Sequence, residues 1–145
     1  MQIVHIITRL ILGGAQENTL ITCKLLAQRG HDVTLITGPA LGPEGELFTQ
    51  AQKEPYKIIT IDSMIRAINP LKDLIAYRQI KKHLKKIKPD IVHTHSTKAG
   101  ILGRYAAHSC LFRHCEEAKG RRGNLNRYFS RFVFSFIHFR IALVV

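Results

Sequence analysis

Gly13 and Gly14 stand in the run LILGGAQENTL (Leu10–Leu20), between an apolar stretch and a segment of helical period. Adjacent glycines weaken strands and helices alike, so a pair is useful where the backbone turns sharply or comes close to a ligand. Free N–H groups at such a turn, with the positive end of a helix behind them, suit an anion; the plainer alternative is a tight connection. A second group lies in PDIVHTHSTKAG (Pro89–Gly100). Strand alternation puts His93 and His95 on one face, with His95 near the strand's carboxyl end. Ser96, Thr97 and Lys98 then fall in the loop that enters the next helix. His93 reads as a hydrogen-bonded core residue, whereas His95, Ser96 and Lys98 bring an imidazole, a hydroxyl and an ammonium to a sheet edge. The candidate substrate-binding residues are therefore Gly13, Gly14, His95, Ser96 and Lys98, and no residue is assigned a catalytic role.

Other chemistries find no support. The glycine pair is not followed by Lys-Ser/Thr as a nucleotide-triphosphate loop requires, and it is not G-x-G-x-x-G. H-E-x-x-H, paired C-x-x-C and G-x-S-x-G are missing from the sequence. His108, Cys110, His114 and Cys115 lie close together, but their spacing fits no usual zinc pattern, so no metal site is expected.

The elements that must position these residues alternate between two periods. Ile3–Thr8, Val33–Thr37, Ile58–Ile61 and Ile91–Thr94 read as short buried strands. Helices are expected over Ala15–Arg29, stopped by Gly30, over Gly45–Lys53, from the Asn69-Pro70 cap to Lys88, and over Lys98–His108. In the third helix Leu71, Leu74, Tyr77, Ile80, Leu84 and Ile87 recur at steps of three or four. Lys81, Lys82, Lys85, Lys86 and Lys88 form its solvated face, with anionic lipid as the sharper reading. Strands alternating with helices predict an α/β fold, a Rossmann-like parallel sheet with helices on both faces. Ligands on such sheets gather outside the carboxyl ends of the strands, where Gly13-Gly14 and His95 both fall.

The chain has 145 residues and a formal charge of +12, which points to nucleic acid, an anionic membrane surface or phosphorylated ligands. Three cysteines are too few for a disulfide framework, so a reducing, cytoplasmic setting is expected. MQIVHIIT lacks a basic leader and a cleavage site and reads as a strand, and no apolar run is long enough for an ordinary transmembrane helix. The composition changes near Ser109: six of the seven Phe follow His108, and residues 109–145 carry 7 Lys and Arg against 2 Asp and Glu. We therefore divide the chain into 1–108 and an atypical basic, aromatic tail, 109–145.

GGAQENTLITCKLLAQRGHDVTLITG resembles the opening βαβ unit of family-4, retaining glycosyltransferases of GT-B architecture, which begin with a glycine loop, an amphipathic helix and RGH-x-V. PDIVHTHSTKAGILGRYAA is similar to the family's segment in which a strand ending in His-x-His leads into a glycine-containing helix. LGPEGEL and INPLKDL look like members acting on bacterial surface polysaccharides. The resemblance covers 1–108. It implies one half of a GT-B fold, with two Rossmann-like domains facing a cleft. The N-terminal domain is the acceptor side and its glycine loop approaches the donor diphosphate; the other domain holds the nucleotide-sugar. The implied partners are a nucleotide-sugar donor and a glycan or lipid-linked acceptor, with no cofactor and no metal. Gly13 and Gly14 match the family loop, and His95, Ser96 and Lys98 match the acceptor-side strand end approximately.

After this point the family continues with a G-V-P turn, a strand and an H-T-x-H-G loop, and residues 109–145 carry neither. The expectation is a disrupted reading frame or truncated end, lacking the donor domain and inactive alone. A membrane-surface anchor built on Phe129–Phe139 with Arg127, Arg131 and Arg140, or a further strand in FVFSFIHF, are the alternatives. The competing function is a non-catalytic basic module that binds an anionic membrane, peripherally on the inner face, or nucleic acid. Nucleic acid is disfavoured because Phe48, Tyr56, Tyr77 and Tyr105 are scattered rather than interleaved with basic residues.

Overall fold

Four strands, β1 (Gln2–Ile7), β2 (Asp32–Thr37), β3 (Lys57–Thr60) and β4 (Ile91–His95), alternate with four helices, α1 (Gly14–Gln28), α2 (Gly45–Gln52), α3 (Pro70–Ile87) and α4 (Thr97–Ala118). The computed structural model describes residues 1–39 and 45–118. The loop at 40–44 and residues 119–145, including the expected anchor or strand around FVFSFIHF, lie outside them. All strand pairings are parallel and the sheet order is β3-β2-β1-β4. The α/β Rossmann-like fold expected from the sequence is thus the fold observed.

Parallel strands covered on both faces must be apolar on both faces, and β1 and β2 are buried at every residue but the first. On one face Ile7, Val33 and Leu35 pack with Leu20 and Cys23 of α1 and Phe48 and Ala51 of α2. On the other, Val4, Ile6 and Ile36 pack with Ala76, Ile80 and Leu84 of α3 and Ala99, Ala106 and Ala107 of α4. The helices lie on both faces, as expected. The alanines and Gly103 let α4 lie close to the sheet: a Cβ at Gly103 would stand 2.9 Å from both Ile6 Cδ1 and Thr94 Cγ2.

The helix ends follow local chemistry. Gly30, at φ 82°, ends α1 with Gly30 N–H bonded to Ala27 O and His31 N–H to Leu26 O, the paired closure a left-handed glycine permits. Asn69 caps α3 by accepting from Lys72 N–H at 3.1 Å, with Pro70 at the first helical position.

Two expectations need correction. In α3 Leu71 and Leu74 are exposed, and the buried stripe is Ala76, Ile80 and Leu84, because the face that meets the sheet and α4 is the one these three share. The last helix does not stop at His108 but runs to Ala118. It continues because Ser109 and Cys110 still pack on α3: Tyr77 Oη donates to Ser109 Oγ at 3.1 Å, and Cys110 Sγ lies 3.6 Å from Lys81 O.

Candidate active-site groove

The parallel register sets Ile7 of β1 beside His95 of β4, so both strands end at the same edge and their following loops meet. They meet through a hydrogen bond between Thr8 Oγ1 and Ser96 Oγ, 2.6 Å apart. Ser96 has φ 75°, a left-handed conformation that costs a non-glycine residue about 1–2 kcal/mol. Such strain persists where the surroundings over-determine it, and the Thr8 bond together with Gly100 N–H donating to Ser96 O at 2.8 Å does so here.

Above this junction is a groove of about 600 Å³. It is lined by Thr8, Arg9, Ile11 and Gln16 from the segment after β1, by Arg66, Ile68 and Asp73 from the end of the β3–α3 loop and the start of α3, and by Ser96, Thr97, Lys98 and Ile101 from the segment after β4. Its lining mixes guanidinium, hydroxyl and amide groups with apolar side chains. Ile68 is 89 % exposed at its rim. Such a surface suits a ligand with an anionic, hydroxylated head and an apolar part.

The five residues expected at the site have different fates. Ser96 lines the groove. Lys98 lines it too, but its ammonium donates to Asp73 Oδ1 at 2.6 Å, Ile65 O at 2.9 Å and Ala67 O at 2.5 Å. An ammonium has three protons, and all three are committed to fastening the β3–α3 loop and α3 to the start of α4. Gly13 and Gly14 follow β1 and open α1, as expected, but Gln16 rather than either glycine lines the groove. Their backbone is ordinary: Gly13 has φ 172° and neither glycine is left-handed. The pair therefore serves space and not a forced turn. A Cβ at Gly14 would meet nothing within 4 Å, and one at Gly13 would meet only the end of Gln16.

His95 is buried, 3 % exposed, beneath the groove rather than in it. It shares a face with His93, as the alternation requires, with ring centroids 4.2 Å apart. The residue missed in the sequence is His5, on β1 and paired in register with His93. His5 Nδ1 and His95 Nε2 are 2.9 Å apart and share a proton. Burial first, then repulsion from His95 and His93, pushes the His5 pKa down to about 3. Burial and then His93 hold His95 at about 4, and burial lowers His93. All three rings are neutral at pH 7. Nothing in QIVHII marks His5 alone; only the pairing of β1 with β4 brings it to the others.

Comparison with known proteins decides the family. The model of Glycosyltransferase Family 4 matches residues 12–145. The chain belongs to that family. The match continues past Ser109, beyond the residues 1–108 that carry the motifs. A UDP-Gal:alpha-D-GlcNAc-diphosphoundecaprenol alpha-1,3-galactosyltransferase of Escherichia coli is 36 % identical over 107 residues, 74 % of this chain and 26 % of that protein. This family-4 chain thus spans about a quarter of that relative's length. Among solved structures, MurG of Acinetobacter baumannii is similar at TM-score 0.55 and 25 % identity, covering 74 % of this chain and 32 % of MurG. A Rickettsia africae glycosyltransferase shares the fold at TM-score 0.56 and 24 % identity, over 72 % of this chain and 27 % of that one.

Proposed function

We propose that this family-4 chain forms the acceptor-side wall of a sugar transferase, and that the groove takes the diphosphate and adjoining sugar of a lipid-linked acceptor. The observation that carries this reading is the groove's lining at the carboxyl ends of β1 and β4. Arg9 and Arg66 supply guanidinium groups for a diphosphate, Ser96 and Thr97 supply hydroxyls for sugar hydroxyls, and Ile68 and Ile101 supply an apolar border for the first prenyl units. The Escherichia coli relative acts, by its name, on a sugar diphosphate of undecaprenol and uses a UDP-sugar. In this reading Gly13 and Gly14, at the bare start of α1, leave room for the donor's diphosphate against the helix N-terminus. Lys98 holds the β3–α3 loop and α3 to the start of α4, and His95 supports Ser96 from below.

The donor nucleotide-sugar is held mainly by a second domain across the cleft, and transfer retains anomeric configuration without metal. In support of the last point, Asp73 is the one carboxylate among the described residues that line the groove, and it is paired with Lys98. In this reading the protein works on a lipid-linked acceptor at the inner face of the membrane, from the cytoplasm. Among the described residues no helix is long and apolar enough to cross a membrane.

The test is a titration of the 145-residue chain with a short-chain, water-soluble prenyl-diphosphate GlcNAc, followed by NMR. Saturable shifts confined to Thr8–Gln16, Arg66–Asp73 and Ser96–Leu102 are expected. Arg66→Ala should weaken binding about tenfold, the loss of roughly one charge-assisted hydrogen bond. Shifts that avoid the groove, or an unchanged affinity in Arg66→Ala, would refute the reading.

A further inference from the structure

His5, His93 and His95 form a cluster that the groove does not use. Each of the three places one ring nitrogen within 4.8 Å of those of the other two. His5 and His95 are 1 % and 3 % exposed. Their rings are stacked at 14° with centroids 5.3 Å apart, and His5 and His93 centroids are 5.1 Å apart. We propose that these three imidazoles constitute a binding site for a late first-row divalent cation of the zinc class, independent of the groove and its acceptor.

The first argument is geometric. A tetrahedral zinc with bonds of about 2.0–2.1 Å to nitrogen sets its ligand atoms roughly 3.3 Å apart. His5 Nδ1 and His95 Nε2 are already 2.9 Å apart, so a cation replaces their shared proton with a small outward movement, and His93 closes the third corner. The second argument is the accounting of polar atoms. One hydrogen bond occupies one nitrogen on each of two rings. His5 Nε2, His95 Nδ1 and His93 Nε2 are buried with no hydrogen-bond partner. A ring that ligates through one nitrogen turns the other away from the ion, so of these three only His93 Nε2 can join His5 Nδ1 and His95 Nε2 as a ligand. A coordinated ion satisfies that nitrogen and replaces one weak shared proton with three metal–nitrogen bonds.

The third argument is chemical. Imidazole suits zinc, copper and nickel, and it ligates in its neutral form. The site is carried by two adjacent strands of one sheet, so its ligands are held by backbone ladders rather than by loops. His93 is only half-buried, which puts the cluster near the protein surface. Binding in this place ties the end of β4 to the centre of the sheet, directly beneath Ser96. Its effect is on the rigidity of that edge.

The experiment uses the chelator-stripped 145-residue chain and two probes, Zn²⁺ and Co²⁺. One equivalent of Co²⁺ should give the visible absorption of a tetrahedral site with no thiolate charge-transfer band. Zinc-edge X-ray absorption should show three imidazoles at about 2.0–2.1 Å and no sulfur at 2.3 Å. Zn²⁺ should raise Tm by about 5 °C or more at saturation. His93→Gln, chosen because it disturbs the core least, should bind at least about a hundredfold more weakly, since loss of an outer-shell partner alone costs a metal site 10–100-fold. No binding by the wild-type chain, sulfur in the coordination shell, or an undiminished affinity in a folded His93→Gln variant would each overturn the proposal. The spectroscopic measurements need only the unaltered chain, so they decide the question even if the variant fails to fold.

Discussion

Ser96 holds a left-handed backbone with a side chain that has work to do, and the two can be separated. Ser96→Ala keeps the strain and loses the 2.6 Å bond to Thr8, so it should destabilise by about 1 kcal/mol. Ser96→Gly loses the same bond but relieves a strain of about 1–2 kcal/mol, and should be near neutral. Glycine ranking above alanine in urea unfolding would establish that the strain is real; the opposite order would show that the loop relaxes. Gly14 behaves in the other sense. Its φ is not left-handed and a Cβ there meets nothing, so Gly14→Ala should raise stability by about 0.4–1 kcal/mol. If the open space above it is for a donor phosphate, the same change should lower transfer by the complete enzyme at least tenfold. A gain in both stability and turnover would make the glycine a plain connector. The glycine's place in the chain was legible from the run that contains it. Its reason was not, because space above a backbone depends on what lies around it.

At the scale of elements, the groove's width depends on how α3 sits against α4, and Lys98 is the fastener. Its side chain is 16 % exposed and that of Asp73 20 %. Lys98→Met leaves Asp73 and two loop carbonyls without their donor, and should destabilise by about 2–3 kcal/mol, below the cost for a fully buried pair. Arginine should not rescue it, since a planar fork cannot reach three acceptors arranged about a point. Thermal unfolding of both variants checks this. The sequence showed Lys98 as a cation in a site loop, which it is; it did not show that Ile65, Ala67 and Asp73 claim it, because these come from 25 to 33 residues away. The periodicities of α1 and α3 mark both as helices. Period alone assigns a face, however, and not its cover, so Leu71 and Leu74 looked like core. All four strands were legible, since runs such as IVHII and VTLIT have no other use in an alternating chain.

For the whole molecule, a buried thiol makes stability fall in alkali. Cys23 lies fully buried on the face of α1 and α2. Burial pushes its thiol from 9.0 up to about 12. The folded protein therefore keeps the proton while the unfolded chain releases it above about pH 9. The sign follows: this contribution to stability is complete below pH 9 and declines as pH rises toward 12. Cys23→Ala should flatten the fall between pH 9 and 11 while lowering stability at pH 7 through the small cavity it leaves. An equally steep fall in the variant would assign the effect elsewhere. The architecture as a whole was readable from alternation. The meeting of His5 with His93 and His95 was not, since it needs the strand order and not just the strands.

The central position of β1 has a consequence for the order in which the chain assembles. Its ladder with β2 joins Gln2 to Asp32, but its ladder with β4 joins Ile3 to Ile91. Synthesis proceeds at roughly 5–20 residues per second, so β1 waits several seconds with one edge open, a state in which strands pair with whatever is near. Thr8 waits for Ser96 and His5 for His95 over the same interval. The groove is therefore the last feature of the sheet to be built, and a ribosome-bound chain that can hold a ligand there has already folded everything made before it.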